Sequence, residues 1–254
     1  MRSVYVGCCG YCMSRSKYYS TFKTVEIQET FYDLPTEDRM RLLREESPPG
    51  FVFNMKAYQG ITHDLDSPTW RRARRKPSET LRGSIGLLRP TRENIELWEE
   101  TVKRAKALEA KVIVVQTPPS FGFSDENLRN SLDFFSVITQ RGFVVGWEPR
   151  GTWMDHPQAV KRVIESQDNL IHVVDPFRSK PVVVKEVSYF RLHGIGGRDV
   201  NYSYKYTDTD LKVLCDSLRE IARDSKEIYV MFNNVSMAQD AQRFISVCAE
   251  VASQ

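Results

Sequence analysis

The chain has 254 residues, 41% of them hydrophobic and 27% charged, with a net charge of +3. It is long enough to bury a sizeable core in one domain spanning 1–254, and a charge so close to balance selects no class of partner by itself. No apolar run approaches the ~20 residues of a membrane span, and Met1-Arg2-Ser3 leads into Val4-Tyr5-Val6 without the core of a secretory signal, so a cytoplasmic protein with no membrane partner is expected.

The first predicted strand, Val4–Gly7, ends in Gly7-Cys8-Cys9-Gly10. The second begins the stretch Thr24–Pro35, where alternation puts Val25, Ile27 and Phe31 on one face and Glu26, Gln28 and Thr30 on the other. Thr36-Glu37-Asp38 reads as the cap and acidic first turn of a helix to about Arg44, stopped by Ser47-Pro48-Pro49-Gly50. Phe51–Ala57 alternates as strand three, with Lys56 near its end. A basic insertion without clean periodicity fills 59–90, and a helix follows from Thr91 on Ile95, Trp98, Val102, Ala105 and Leu108.

Strand four is Lys111–Thr117, and Ser124-Asp125-Glu126 caps the next helix. Strand five is Phe143–Trp147, before Glu148, and Pro157 stands at the first position of another helix. Strand six, Leu170–Val174, ends at Asp175, and no helical pattern separates it from strand seven, Val187–Leu192, so one crossover helix is missing. Thr207-Asp208-Thr209-Asp210 resembles a capping box, Ile228–Phe232 is strand eight, and a last helix starts at Ser236. Eight apolar strands alternating with helices predict an α/β fold of the TIM type, a closed parallel (β/α) barrel.

In such a barrel the C-terminal strand ends carry the site. Reading them in order gives Glu26, Gln28, Lys56, His63, Gln116, Glu148, Arg150, Asp175, Arg191, His193, Asn233 and Asn234. Carboxylates able to exchange protons, together with a lysine and two arginines able to hold an anion, suit acid–base chemistry on an anionic substrate, phosphorylated or sugar-like, of the hydrolase or isomerase type. Glu26, Glu148 and His193 are the candidate catalytic residues. Lys56, His63, Gln116, Arg150, Asp175, Arg191, Asn233 and Tyr32 are the candidate substrate-binding residues. No Gly-x-Gly-x-x-Gly or Gly-Lys-Ser/Thr loop is present, so no nucleotide cofactor is expected.

The segments Glu26-Ile27-Gln28-Glu29-Thr30-Phe31-Tyr32, Lys56-Ala57 with Ile61-Thr62-His63, Gln116-Thr117-Pro118-Pro119-Ser120-Phe121, Glu148-Pro149-Arg150 with Trp153, Tyr189-Phe190-Arg191-Leu192-His193-Gly194 and Phe232-Asn233-Asn234 resemble the YecE-like family, known as domain of unknown function 72, in its archaeal-type form. The resemblance spans almost the whole chain and implies a TIM-type barrel without supplying an activity. Where the commoner family pattern has small hydroxyl residues before Gly-Trp, this chain has Cys8-Cys9-Gly10-Tyr11.

Three further features carry alternatives. Between Trp70 and Arg92 stand eight basic residues and one acid, a local +7, which makes Arg71, Arg72, Arg74 and Arg75 a candidate nucleic-acid surface with the barrel as scaffold; a solvated or internally ion-paired insertion is the other reading. Five cysteines, an odd number, argue for reduced thiols, and Cys9-Gly10-Tyr11-Cys12 has redox or half-zinc spacing with no second pair to complete it. A divalent metal could be held by Glu26, Glu148, Asp175 and His193, although Lys56 and Arg191 would oppose a cation. His156 is expected at a helix cap and His172 within strand six. The oligomeric state is not legible.

Overall fold

The computed structural model describes residues 3–138, 143–197 and 199–248. Eight strands, β1 (Ser3–Cys9), β2 (Thr24–Ile27), β3 (Val52–Lys56), β4 (Ala110–Gln116), β5 (Val144–Glu148), β6 (Leu170–Val174), β7 (Val187–Leu192) and β8 (Glu227–Phe232), follow one another around a closed barrel in sequence order. The pairs described residue by residue are parallel, and β1 pairs with β8 from Ser3 opposite Glu227 to Cys8 opposite Phe232. Nine α-helices are described: α1 (Arg15–Thr21), α2 (Glu29–Tyr32), α3 (Glu37–Glu45), α4 (Gln59–Thr62), α5 (Arg92–Leu108), α6 (Asp125–Ile138), α7 (Pro157–Glu165), α8 (Asp208–Ile221) and α9 (Met237–Val247). No helix is described between β6 and β7, as the sequence indicates.

Local chemistry explains the boundaries. The Thr36 side chain accepts the Arg39 N–H at the start of α3, and Thr91 accepts that of Asn94 at the start of α5. Thr207 and Asp210 cap α8 reciprocally, and Pro157 opens α7. His156 stands at the N-cap of α7 but makes no side-chain cap bond; its ring stacks on Phe123 with centroids 3.9 Å apart. His172 lies within β6, where its Nδ1 accepts the Val182 N–H.

Packing divides the chain into two compact units. One comprises the residues up to Glu26, Pro48–Val52 and the chain from Ile171 onward; the other comprises Ile27–Ser47 and Phe53–Leu170. Among the described residues, no helix is long and apolar enough to cross a membrane.

Three local expectations need correction. The second strand stops at Ile27, because Thr30 turns its hydroxyl back to the Ile27 and Lys56 carbonyls and the chain coils as α2, so Thr30 and Phe31 do not continue the strand alternation. Helix α1 is unforeseen, since its seven residues bury only Tyr18 and leave no periodic apolar face to detect. Cys215 on α8 and Cys248 after α9 form a disulfide, so the cysteines are not all reduced; an odd count leaves at least one thiol over, here three, but does not forbid a bridge across 33 residues.

Candidate active site

In the unit that carries β1, β7 and β8, Glu26 is held from two sides. Its Oε2 accepts the Tyr189 hydroxyl at 2.8 Å and the Arg191 Nε–H at 3.1 Å, while its Oε1 accepts Arg191 Nη2 at 2.9 Å. The period of two along β7 puts Tyr189 and Arg191 on one face, which is why a single carboxylate reaches both. The side chains of Glu26 and Arg191 are 0% and 1% exposed. Burial, followed by the Glu26 charge, pushes the Tyr189 phenol well above its ordinary range, so it stays a donor.

Asp175, just past β6, organises the start of the next loop in the same unit. Its Oδ2 accepts the His193 backbone N–H at 2.8 Å, its Oδ1 accepts that of Phe177 at 3.0 Å, and the His193 Nδ1 stands 3.6 Å from the carboxylate. Arg178, which the sequence reading did not single out, lies 3.8 Å from Asp175 and donates to the Gly194 and Gly196 carbonyls. Asn233 continues β8 by donating its backbone N–H to Leu192, and Asn234 donates its side-chain amide to Tyr204 and Asp240.

The other unit carries a different cluster. Lys56, the last residue of β3, places its ammonium 3.7 Å from the centre of the Phe31 ring. His63 meets the same ring edge-on, with centroids 5.0 Å apart, and its Nδ1 lies 2.8 Å from the Thr62 hydroxyl. Burial first, then the charges of Lys56 and Arg150, lower its pKa to about 3, so the imidazole is neutral at ordinary pH. Glu148, which ends β5, receives Arg150 Nε at 2.8 Å and Nη2 at 2.6 Å on a single oxygen. Gln116 ends β4 in register with Glu148 and, like Glu148 and Lys56, is buried but for a small exposed margin.

The insertion helps to position His63. Leu65, Trp70 and Ile85 form a small apolar knot, and the Trp70 indole donates to the Asp64 carbonyl at 2.9 Å. Leu88 and Asn94 donate to the Ile61 carbonyl, tying the return of the insertion to α4. Gly86 has φ +78, and a β-carbon there would stand 2.5 Å from the His63 carbonyl oxygen, so the turn requires glycine twice over.

The basic residues of the insertion fall into two groups. Lys76 and Arg82 pair with Glu79, Arg82 also with Asp66, Arg89 with Asp64 and Arg92 with Glu96. Among the described residues, the side chains of Arg71, Arg72, Arg74 and Arg75 have no carboxylate partner. Arg72 lies over the Tyr32 ring at 4.4 Å, and Arg74 donates its backbone N–H to Asp33. Tyr32, Arg39, Arg72, Arg74 and Arg75 line a groove of about 710 Å³ that also carries Glu29 and Asp33.

The structure therefore joins Glu26 to Arg191, Asp175 to His193, Lys56 and Arg150 to His63, Glu148 to Arg150, and Tyr32 to Arg72. Phe31 and Tyr189 are the partners that the candidate list lacked. Phe31 was missed because the strand alternation was carried past Ile27, whereas the i, i+2 spacing of Tyr189 and Arg191 is a usable signal. Among the described residues, no three or more His, Cys, Asp and Glu side chains form a group able to hold a metal ion.

No protein with a curated description matches the chain. Among solved structures, a DUF72 family protein from Enterococcus faecalis V583 superposes with a TM-score of 0.69 at 21% identity, covering 98% of each chain. A DUF72 family protein from Thermotoga maritima MSB8 gives 0.66 at 20% identity, covering 98% of this chain and 100% of that one. A D-psicose 3-epimerase, solved in the presence of D-fructose, gives 0.56 at 11% identity with full coverage of both chains. The family described as "Protein of unknown function DUF72" matches residues 14–253, and the chain belongs to it.

Proposed function

We propose that the protein is an enzyme that binds an anionic, phosphorylated or sugar-like substrate at the ends of β3, β4 and β5 and transforms it by proton transfer, as a hydrolase or isomerase does. The observation that carries this reading is the grouping of Lys56 and Arg150 around a neutral His63, with the Glu148 carboxylate on Arg150. Two cations in a partly buried setting attract an anion more strongly than in water, Glu148 is a carboxylate able to accept a proton, and the Gln116 amide can donate to and accept from a hydroxyl. The neutral imidazole of His63 can donate or accept a hydrogen bond without adding charge. In this reading Glu26 and Arg191 hold the barrel wall in shape, because their charges face each other in a buried setting and the Tyr189 hydroxyl donates to the carboxylate. A barrel of this kind in D-psicose 3-epimerase is consistent with sugar chemistry, although fold alone chooses no reaction.

The test is thermal unfolding with inorganic phosphate and with a hexose 6-phosphate. A ligand at 100 times its Kd stabilises by about 2.7 kcal/mol. The stabilisation is expected to vanish in Lys56→Ala and Arg150→Ala, and its survival in both would remove the anionic-substrate reading. We further assign the chain to the YecE-like, archaeal-type branch on its motifs, and to the cytoplasm.

A second reading has its own support. The carboxylate-free arginines, three of which (Arg72, Arg74 and Arg75) line the groove with Tyr32, offer phosphate-binding charge with a stacking ring, as a single-stranded nucleic acid requires. In that case an oligonucleotide binds with an affinity that falls as salt rises, the joint change of Arg71, Arg72, Arg74 and Arg75 to Ala removes binding, and Glu148→Gln has no effect on it.

A further inference from the structure

The end of β1 holds a pair of sulfurs that the proposed chemistry leaves unused. Cys8 and Cys12 are separated by three residues, and their Sγ atoms lie 3.6 Å apart. Cys8 is fully buried at 0% exposure, while Cys12 is half-buried in the turn between β1 and α1. Its backbone is fixed: the Cys8 N–H donates to the Tyr18 hydroxyl, which donates in turn to the Thr24 carbonyl. Cys12 instead follows Gly10, whose φ of +97 turns the chain back on the strand end. Cys9, next to Cys8 on the strand, points to the opposite face by the period of two.

We infer that Cys8 and Cys12 form a peroxide-reactive dithiol, in which the half-buried Cys12 attacks a hydroperoxide and the buried Cys8 resolves the product as an intrachain disulfide. Geometry divides the roles, since only Cys12 is accessible to a solute and Cys8 lies in contact behind it. The hydrogen bond with Cys8 lowers the pKa of Cys12, whereas that bond and burial raise the pKa of Cys8, so the thiolate forms on the exposed partner.

The chemistry balances. The Cys12 thiolate bonds to one peroxide oxygen, the O–O bond breaks, and the departing oxygen takes a proton to leave as water or, for an organic peroxide, as an alcohol. The Cys8 sulfur then attacks the sulfenic sulfur of Cys12, forming the S–S bond, and its proton leaves with the displaced hydroxide as water. The two sulfurs lose two electrons and the peroxide gains them. Closing the gap to a bond of about 2.05 Å asks for roughly 1.5 Å of movement, which the turn on Cys12 supplies while Cys8 stays on its strand.

The test uses the full chain, never reduced, so that the bridge between Cys215 and Cys248 stays closed. Stoichiometric hydrogen peroxide is added, remaining thiols are alkylated, and the denatured protein is cut with chymotrypsin, which separates Cys12 from Cys8 and Cys9 after Tyr11. The expected product is the Cys12 peptide joined to the Cys8–Cys9 peptide and lighter by two hydrogens, with two of the three thiols lost. The link is expected to persist in Cys9→Ser. In Cys8→Ser, Cys12 stops at the sulfenic acid and is trapped by a cyclic 1,3-dione; in Cys12→Ser, Cys8 stays unreacted in the folded protein. A link that disappears in Cys9→Ser, or peroxide-treated wild type in which Cys12 is alkylated as fully as in the untreated protein, would overturn the inference.

Discussion

Two glutamate–arginine pairs, each joined through the Nε and Nη2 of its arginine, differ in exposure and so do different work. Glu26 and Arg191 are sealed at 0% and 1% exposure, and Tyr189 takes part in holding the carboxylate. Glu148 and Arg150 keep 7% and 15% of their side chains exposed, and the Arg150 charge is felt at His63. A sealed pair has been removed from water at high cost, and what it gives in return is a fixed geometry. A pair open at its edge can exchange one partner for a ligand anion. On the proposed reading, the contrast separates residues that shape the wall from residues that react.

The largest expected effect is on the sealed pair. Arg191→Ala removes a cation paired with a buried carboxylate and is expected to cost about 3–5 kcal/mol, read by denaturant unfolding. Arg150→Ala, at the pair open at its edge, is expected to cost less, about 1–3 kcal/mol. Equal losses at the two positions would erase the distinction drawn here.

A smaller effect concerns acid. The pKa of His63 lies at about 3 in the folded protein, below its ordinary value of 6.5, so between these values the unfolded chain binds a proton that the folded chain refuses. The contribution is complete above pH 6.5 and is lost as pH falls toward 3, at up to about 1.4 kcal/mol per pH unit. His63→Phe is expected to flatten the difference between unfolding curves at pH 7 and pH 5; an unchanged slope would show that His63 is not held neutral.

The smallest effect is at the insertion, where changing Arg71, Arg72, Arg74 and Arg75 to Ala is expected to alter stability by no more than about 0.5 kcal/mol. A larger loss in the same unfolding measurement would mean that these arginines hold the insertion together.

Much of this was legible because strands announce themselves. Runs such as Val112–Val115 and Val187–Leu192 are long enough to read, and the polar residue after each run marks its end. The pairing of Glu26 with Arg191 is foreseeable only as residues sharing a face; that the pair is closed depends on the Tyr189 hydroxyl and on burial, which no spacing encodes. Phe31 was hidden because one side-chain hydrogen bond from Thr30 ends a strand that alternation alone would continue. The arginines of the insertion look alike in sequence. Which of them meet carboxylates depends on how Leu65, Trp70 and Ile85 gather the loop.

The most direct measurement is calorimetric titration of a hexose 6-phosphate into wild type, Lys56→Ala and Tyr189→Phe. The expected result is binding lost in Lys56→Ala and retained in Tyr189→Phe, with the wall still in place through Arg191. Binding that survives Lys56→Ala but fails in the folded Tyr189→Phe protein would contradict the account, because the sealed cluster would then be the one that meets the ligand.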